Sequence, residues 1–183
     1  AIALCIHPFK DRLVSKTTFR ESLGQFTATL VKLCADYPTM RINVVLPACY
    51  LEYIDPLRLS ELREIQKRSG IEWVTPGYTD PFVSLSPLWL SKENISTGID
   101  TFQEFLGIAP GGYVPAFSNW EPVSVDMLHE AGLQHVLLSN TLLPQQCRSR
   151  CGYWATEYGG STILIFPVHV LDPSTAPGDT ESW

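Results

Sequence analysis

Short apolar runs alternate along this chain with stretches of helical period, and that alternation leaves few folds open. The runs Ala1–Ile6, Arg41–Leu46, Ile71–Thr75, Gly112–Pro115 and His135–Leu138 have strand length and read as buried strands. Between them, Thr17–Tyr37 places Phe19, Leu23, Phe26, Leu30 and Leu33 at three-to-four spacing, one face of a helix that Pro38 ends. Pro56–Ser69 does the same with Leu59, Leu62 and Ile65, and Gly70 is a natural C-cap. Ser91–Leu106 is helical and stopped by Gly107. Pro122–Ala131 carries Pro in its first turn and Gly132 as its cap. Strand–helix alternation with short connections predicts a mostly parallel sheet. The strands bearing Ile2, Val44, Trp73, Val114 and Val136 are expected as parallel neighbours with helices packed outside.

The pattern changes near the end. Tyr153–Tyr158 and Thr162–Val168 flank Gly159-Gly160, which reads as a hairpin. The expected fold class is therefore α/β. An incomplete or distorted (β/α) barrel with a mostly parallel sheet is followed by a C-terminal hairpin, since five βα-type strands are too few to close a usual barrel. Residues 1–171 form one α/β domain in this reading, and 172–183, rich in Pro, Ser and Thr, form a tail or linker.

A chain of 183 residues with 45% hydrophobic and 17% charged residues can bury one full core. Its net charge of −6, with no Lys/Arg cluster, argues against nucleic acid as a partner. No apolar run reaches membrane-spanning length, so no membrane partner is expected. Ala1–Ile6 is short for a signal peptide and lacks a basic lead, and it does not begin with Met. The expectation is a cytoplasmic chain, trimmed or processed from something longer. Five scattered cysteines fit free thiols in a reducing compartment. Cys147 and Cys151 are the one close pair, and no second pair or nearby His run completes a zinc set around them. No metal and no cofactor are read from the sequence, which also lacks Gly-x-Gly-x-x-Gly, a P-loop, Gly-x-Ser-x-Gly and His-Glu-x-x-His.

Polar and aromatic residues crowd the places where these strands end, and in α/β folds the loops there build sites. His7 follows the first strand, where it can bond a substrate hydroxyl or move a proton; the plainer role is a tie to a backbone carbonyl. Glu72 lies inside the apolar strand Ile-Glu-Trp-Val, either facing solvent at an edge or aimed into a polar cavity. Asp80, in Tyr78-Thr-Asp-Pro, makes a turn or meets a ligand. Glu121 follows Trp120 at a helix start, where the helix dipole alone favours a carboxylate. Glu72, Asp80 and Glu121 are the candidate acids or bases. Trp73, Tyr78, Trp89, Tyr113, Phe117 and Trp120 supply flat faces that stack on sugar rings, or simply core, the plainer role for any one of them. His7, Glu72, Asp80, Trp120 and Glu121 are expected to converge at the C-terminal ends of the strands.

Taken in order, these segments resemble the N-terminal part of glycoside hydrolase family 57. Leu4-Cys-Ile-His7-Pro8-Phe is similar to a shortened form of the family's His-Gln-Pro motif. Gly70-Ile-Glu72-Trp-Val-Thr-Pro-Gly77-Tyr78-Thr-Asp80-Pro81 resembles its second motif and the loop that follows. Val114-Pro-Ala-Phe117-Ser-Asn-Trp120-Glu121-Pro122 stands where the family has Trp-Leu-Ala-Glu-Arg-Val-Trp-Glu-Pro. Ala131-Gly132-Leu-Gln-His-Val-Leu and the hairpin around Tyr153 and Phe166 resemble later segments. The resemblance implies a (β/α) barrel acting on α-glucans, with an oligo- or polysaccharide as partner. It also implies that His7, Glu72, Tyr78, Asp80, Phe117, Trp120 and Glu121 touch substrate.

Two departures follow. Phe117 occupies the position of the family nucleophile, and the family's general acid, an Asp on a later strand, has no counterpart in this sequence. Retaining glycoside hydrolysis needs two carboxylates about 5–5.5 Å apart. The expectation is a degenerate or truncated carbohydrate-active domain. The alternatives are a non-catalytic glycan-binding or protein-interaction module, and a polysaccharide deacetylase-like hydrolase using other acidic residues. The last lacks the Asp-Asp and His-x3-His signatures.

Overall fold

The computed structural model describes residues 2–4, 15–68, 70–81, 83–116, 119–145 and 152–168. His7, Phe117, Cys147, Cys151 and the tail 172–183 lie outside the described residues.

One seven-stranded sheet organises the chain. Its strands are β1 (Ile2–Leu4), β2 (Arg41–Val45), β3 (Gly70–Thr75), β4 (Gly112–Tyr113), β5 (His135–Ser139), β6 (Trp154–Tyr158) and β7 (Ser161–Val168). The spatial order is β1-β2-β3-β4-β5-β7-β6. β1 to β5 pair parallel in sequence order, β7 continues parallel beside β5, and β6 is antiparallel to β7 at the edge. The hairpin is thus part of the main sheet, and its second strand extends the parallel set. Among the described residues the sheet stays open.

The helices are α1 (Lys16–Asp36), α2 (Pro56–Arg68), α3 (Leu88–Leu106) and α4 (Ser124–Glu130). α1 starts at Ser15, whose hydroxyl accepts from the Thr18 N–H at 3.2 Å. It buries Leu23, Thr27, Leu30 and Cys34, and Phe19, Phe26 and Leu33 pack at the margin. α4 is shorter than its sequence suggests. Pro122 precedes it in a turn where Ser124 N–H bonds Glu121 O and Val125 N–H bonds Pro122 O, each at 3.0 Å. These are i→i+3 bonds, so the chain tightens before the helix proper begins.

Alternation along the strands sorts their side chains between two faces. Ile42, Val44 and Trp73 join Leu23, Leu62 and Phe102 in one core cluster, and Tyr113, Val136, Leu138, Ile163 and Ile165 join Ile95, Val125 and Leu128 in a second. Both lie under the helices. The opposite, inner face holds a smaller cluster of Val45, Val74, Val114 and Leu137, with Val168 beside it. Helices outside and short aliphatic side chains inside are the layering of a barrel wall, here unclosed.

Candidate functional site

The C-terminal ends of β2, β3 and β4 are knitted together by backbone bonds that continue past the strands. Leu46 N–H donates to Val74 O at 3.0 Å, Ala48 N–H to Gly77 O at 3.0 Å, Cys49 N–H to Tyr78 O at 2.9 Å and Val114 N–H to Thr75 O at 3.1 Å. The Thr75 hydroxyl donates to Gly77 O at 2.9 Å and accepts from Gly77 N–H at 3.0 Å. Tyr78 N–H then bonds Asn94 O of α3 at 2.9 Å, and the Asn94 amide donates to Thr79 at 2.8 Å. This loop needs glycine. Gly77 has φ 118°, and a Cβ there meets the Asn94 side chain. On the helix side, a Cβ on Gly98 would stand 2.6 Å from the Gly77–Tyr78 peptide. The loop after β3 is therefore clamped onto α3, and the residues it carries are held in place.

Five polar side chains sit at this end. The Tyr78 hydroxyl donates to Glu52 Oε1 at 2.7 Å, and that bond to a carboxylate pushes its pKa up to about 12. Glu52 and Cys49 belong to a 3-10 turn, Ala48–Tyr53, that follows β2. Burial, then the charges of Asp80 and Glu52, push the Cys49 thiol up to about 12. Burial first, then Asp80, also raises the Tyr113 phenol. Two groups on different strand ends therefore feel the same Asp80 charge. Glu52 and Asp80 can accept from ligand hydroxyls, and Tyr78, partly exposed, offers an aromatic face.

The sequence-derived candidates divide. Tyr78 and Asp80 follow β3 directly and share this end with Cys49, Glu52 and Tyr113. Trp120 and Glu121 lie between β4 and α4; Trp120 packs against the second core cluster and Glu121 O caps the turn into α4. Glu72 lies elsewhere. It is the third residue of β3, paired with Asn43, and its carboxylate meets His135 Nδ1 at 3.7 Å near the beginnings of β4 and β5. The sequence offered Tyr113 only as an aromatic face or core, and it left Cys49 and Glu52 unmarked as site residues. The signal for those two was the same one used after β3: Cys49-Tyr-Leu-Glu52-Tyr53 follows the end of a strand. Among the described residues no three His, Cys, Asp or Glu side chains group as a metal set.

The sequence matches the profile of Glycosyl hydrolase family 57 over residues 6–169. The chain belongs to glycosyl hydrolase family 57. Family relatives include a 4-alpha-glucanotransferase of Thermococcus kodakarensis, 29% identical over 164 residues, which cover 85% of this chain and 24% of the relative. The 4-alpha-glucanotransferase of Thermococcus litoralis is 27% identical over 159 residues, 82% of this chain and 24% of that protein. Its crystal structure superposes with a TM-score of 0.68 at 26% identity, covering 77% of this chain and 23% of that one. An α-amylase structure from Thermotoga maritima shares the fold, with a TM-score of 0.69 at 13% identity over 96% of this chain and 46% of that one. The chain spans about a quarter of the length of the curated relatives it matches.

Proposed function

We propose that this chain presents an α-glucan-contacting surface at the C-terminal ends of β2, β3 and β4, and that on its own it does not carry out the family's retaining hydrolysis. The observation that supports binding is the grouping of Glu52, Tyr78 and Asp80 on a loop and turn clamped to α3. Charged acceptors and a partly exposed aromatic ring are what a sugar's hydroxyls and apolar ring face require. The 4-alpha-glucanotransferase activity of the family relatives points to α-glucans as the sugar.

Against hydrolysis stands Phe117, where the family places its nucleophile. A phenyl ring cannot attack an anomeric carbon, so no glycosyl-enzyme forms by that route. The domain is degenerate in this reading, a binding surface without the two-carboxylate machinery. The test is calorimetric titration with maltooligosaccharides. Binding is expected, and Asp80→Ala is expected to weaken it about tenfold or more, since a bond to a charged acceptor contributes about 1.5–3 kcal/mol. Equal affinity in wild type and Asp80→Ala removes Asp80 from the surface.

A further inference from the structure

The inner face of the sheet carries two unlike layers. Val45, Val74, Val114, Leu137 and Val168 form the aliphatic one. Two residues earlier along each strand, and so on the same face, stand Asn43, Glu72, Gly112, His135 and Phe166. A carboxylate, an imidazole and an aromatic ring here take the place of the aliphatic side chains that cover the sheet above. They meet in a row across the face. Glu72 Oε1 lies 3.7 Å from His135 Nδ1. The imidazole meets the Phe166 ring edge to face with centroids 5.4 Å apart, and Phe166 meets the Tyr153 ring at 5.7 Å, tilted by 37°. Gly112 leaves the space that the imidazole fills, since a Cβ there would collide with it.

Both ends of the row are open. The Glu72 side chain is 48% exposed and Tyr153 is 63% exposed, while His135 between them is buried. At 3.7 Å the imidazole does not tie Glu72 in a hydrogen bond, and burial keeps it uncharged near neutral pH, so the carboxylate retains its capacity to accept. Tyr153, backed by Phe166, leaves most of its ring in solvent. An open aromatic face and an open carboxylate held on one rigid sheet are what a sugar's apolar ring face and hydroxyls require. The row is separate from Asp80. Glu72 precedes the end of β3 at Thr75 by about 10 Å of strand, and Asp80 lies beyond that end.

We propose that the inner face holds a second α-glucan subsite, in which the Tyr153 ring stacks on the apolar face of a glucose unit and Glu72 accepts from hydroxyls of the same glucan. This rests on the α-glucan reading given above and does not require Asp80. His135, filling the space over Gly112, forms the floor between carboxylate and ring.

The experiment uses the whole chain and maltoheptaose, with Tyr153→Ala, Glu72→Gln and Asp80→Ala melted in parallel to check that they stay folded. The readout is the His135 ring Cε1–H resonance, assigned by NMR and followed near neutral pH. In the wild type it should shift saturably with added sugar, and it should do the same in Asp80→Ala. The half-saturation concentration should rise about tenfold in Tyr153→Ala, through loss of one stacked ring. In Glu72→Gln it should rise about fivefold, a charged acceptor being exchanged for a neutral one. A His135 resonance that stays put while calorimetry shows the wild type binding overturns the second subsite and leaves the Asp80 surface standing. A half-saturation point unchanged in Tyr153→Ala, or a shift abolished by Asp80→Ala, overturns it too. If the shift persists and Asp80→Ala leaves the calorimetric affinity untouched, the Asp80 reading falls and the inner-face subsite stands. A wild type that binds no maltoheptaose overturns both.

Discussion

His135 Nδ1 stands 3.7 Å from Glu72 Oε1, and the imidazole lies over the Cα of Gly112, where any Cβ would collide with it. Phe166 of β7 meets the same imidazole edge to face, with centroids 5.4 Å apart. Glycine in the middle strand thus lets a His on one neighbouring strand and a Glu on the other face each other across the inner face. Burial holds the His135 pKa below its usual 6.5, and the Glu72 charge offsets part of that.

A pH dependence of stability follows. His135 binds its proton less readily folded than unfolded, so its contribution is complete above pH 6.5 and is lost as pH falls through 6.5 toward the folded pKa. Urea midpoints are expected to fall between roughly pH 7 and pH 5, and His135→Gln should flatten that fall. Glu72→Gln should move the NMR titration of His135 lower, because the group that favours its charged form is gone. A His135 titration above 6.5 in the wild type contradicts this account.

Cys49 should resist alkylation. With the thiol pushed up to about 12 by burial and two carboxylates, little thiolate exists near neutral pH. Mass spectrometric mapping after iodoacetamide treatment at mild alkaline pH should find Cys49 labelled far more slowly than in the urea-unfolded chain, and faster in Asp80→Asn. Equal labelling of folded and unfolded chain sinks the placement of Cys49.

Much of the fold was legible because its rules are local. Three-to-four spacing announced α1 and α2, and the strand–helix alternation announced the parallel sheet. The site was less legible, since it depends on which strand ends become neighbours. Asp80 and Tyr78 were visible as a strand-end loop. Tyr113 read as core, and it is core; burial, and then the charge of Asp80 from the loop after the neighbouring strand, raise its phenol. Glu72 showed the reverse. Its strand was clear, but its height along that strand fixed it beside His135, away from Asp80, and only the register with Asn43 reveals that.

The clamp on the β3 loop should be sensitive to one methyl group. Gly77→Ala forces an L side chain into φ 118° and against Asn94. A cost of about 1–3 kcal/mol is expected from strain of this kind. Thermal melting measures it, and sugar affinity should drop with it, because Tyr78 and Asp80 ride on the same loop. Unchanged melting and affinity would mean that the clamp contributes nothing.

Trp73 anchors the first core cluster. It is buried, tilted against Phe102 at 5.9 Å, with its indole N–H donating to Gln66 at 3.2 Å. Trp73→Ala should cost about 3–5 kcal/mol, measured by urea unfolding.

Binding without turnover is the central claim, and one measurement reaches it most directly. Maltoheptaose is titrated into the chain by calorimetry, and the recovered mixture is then incubated and separated by chromatography. The account predicts a saturable heat of binding that Asp80→Ala diminishes, with maltoheptaose recovered intact and neither shorter nor longer sugars formed. Shortened or elongated products from the wild type, absent in Glu121→Gln and unaffected by Phe117→Ala, would contradict it and make Glu121 catalytic.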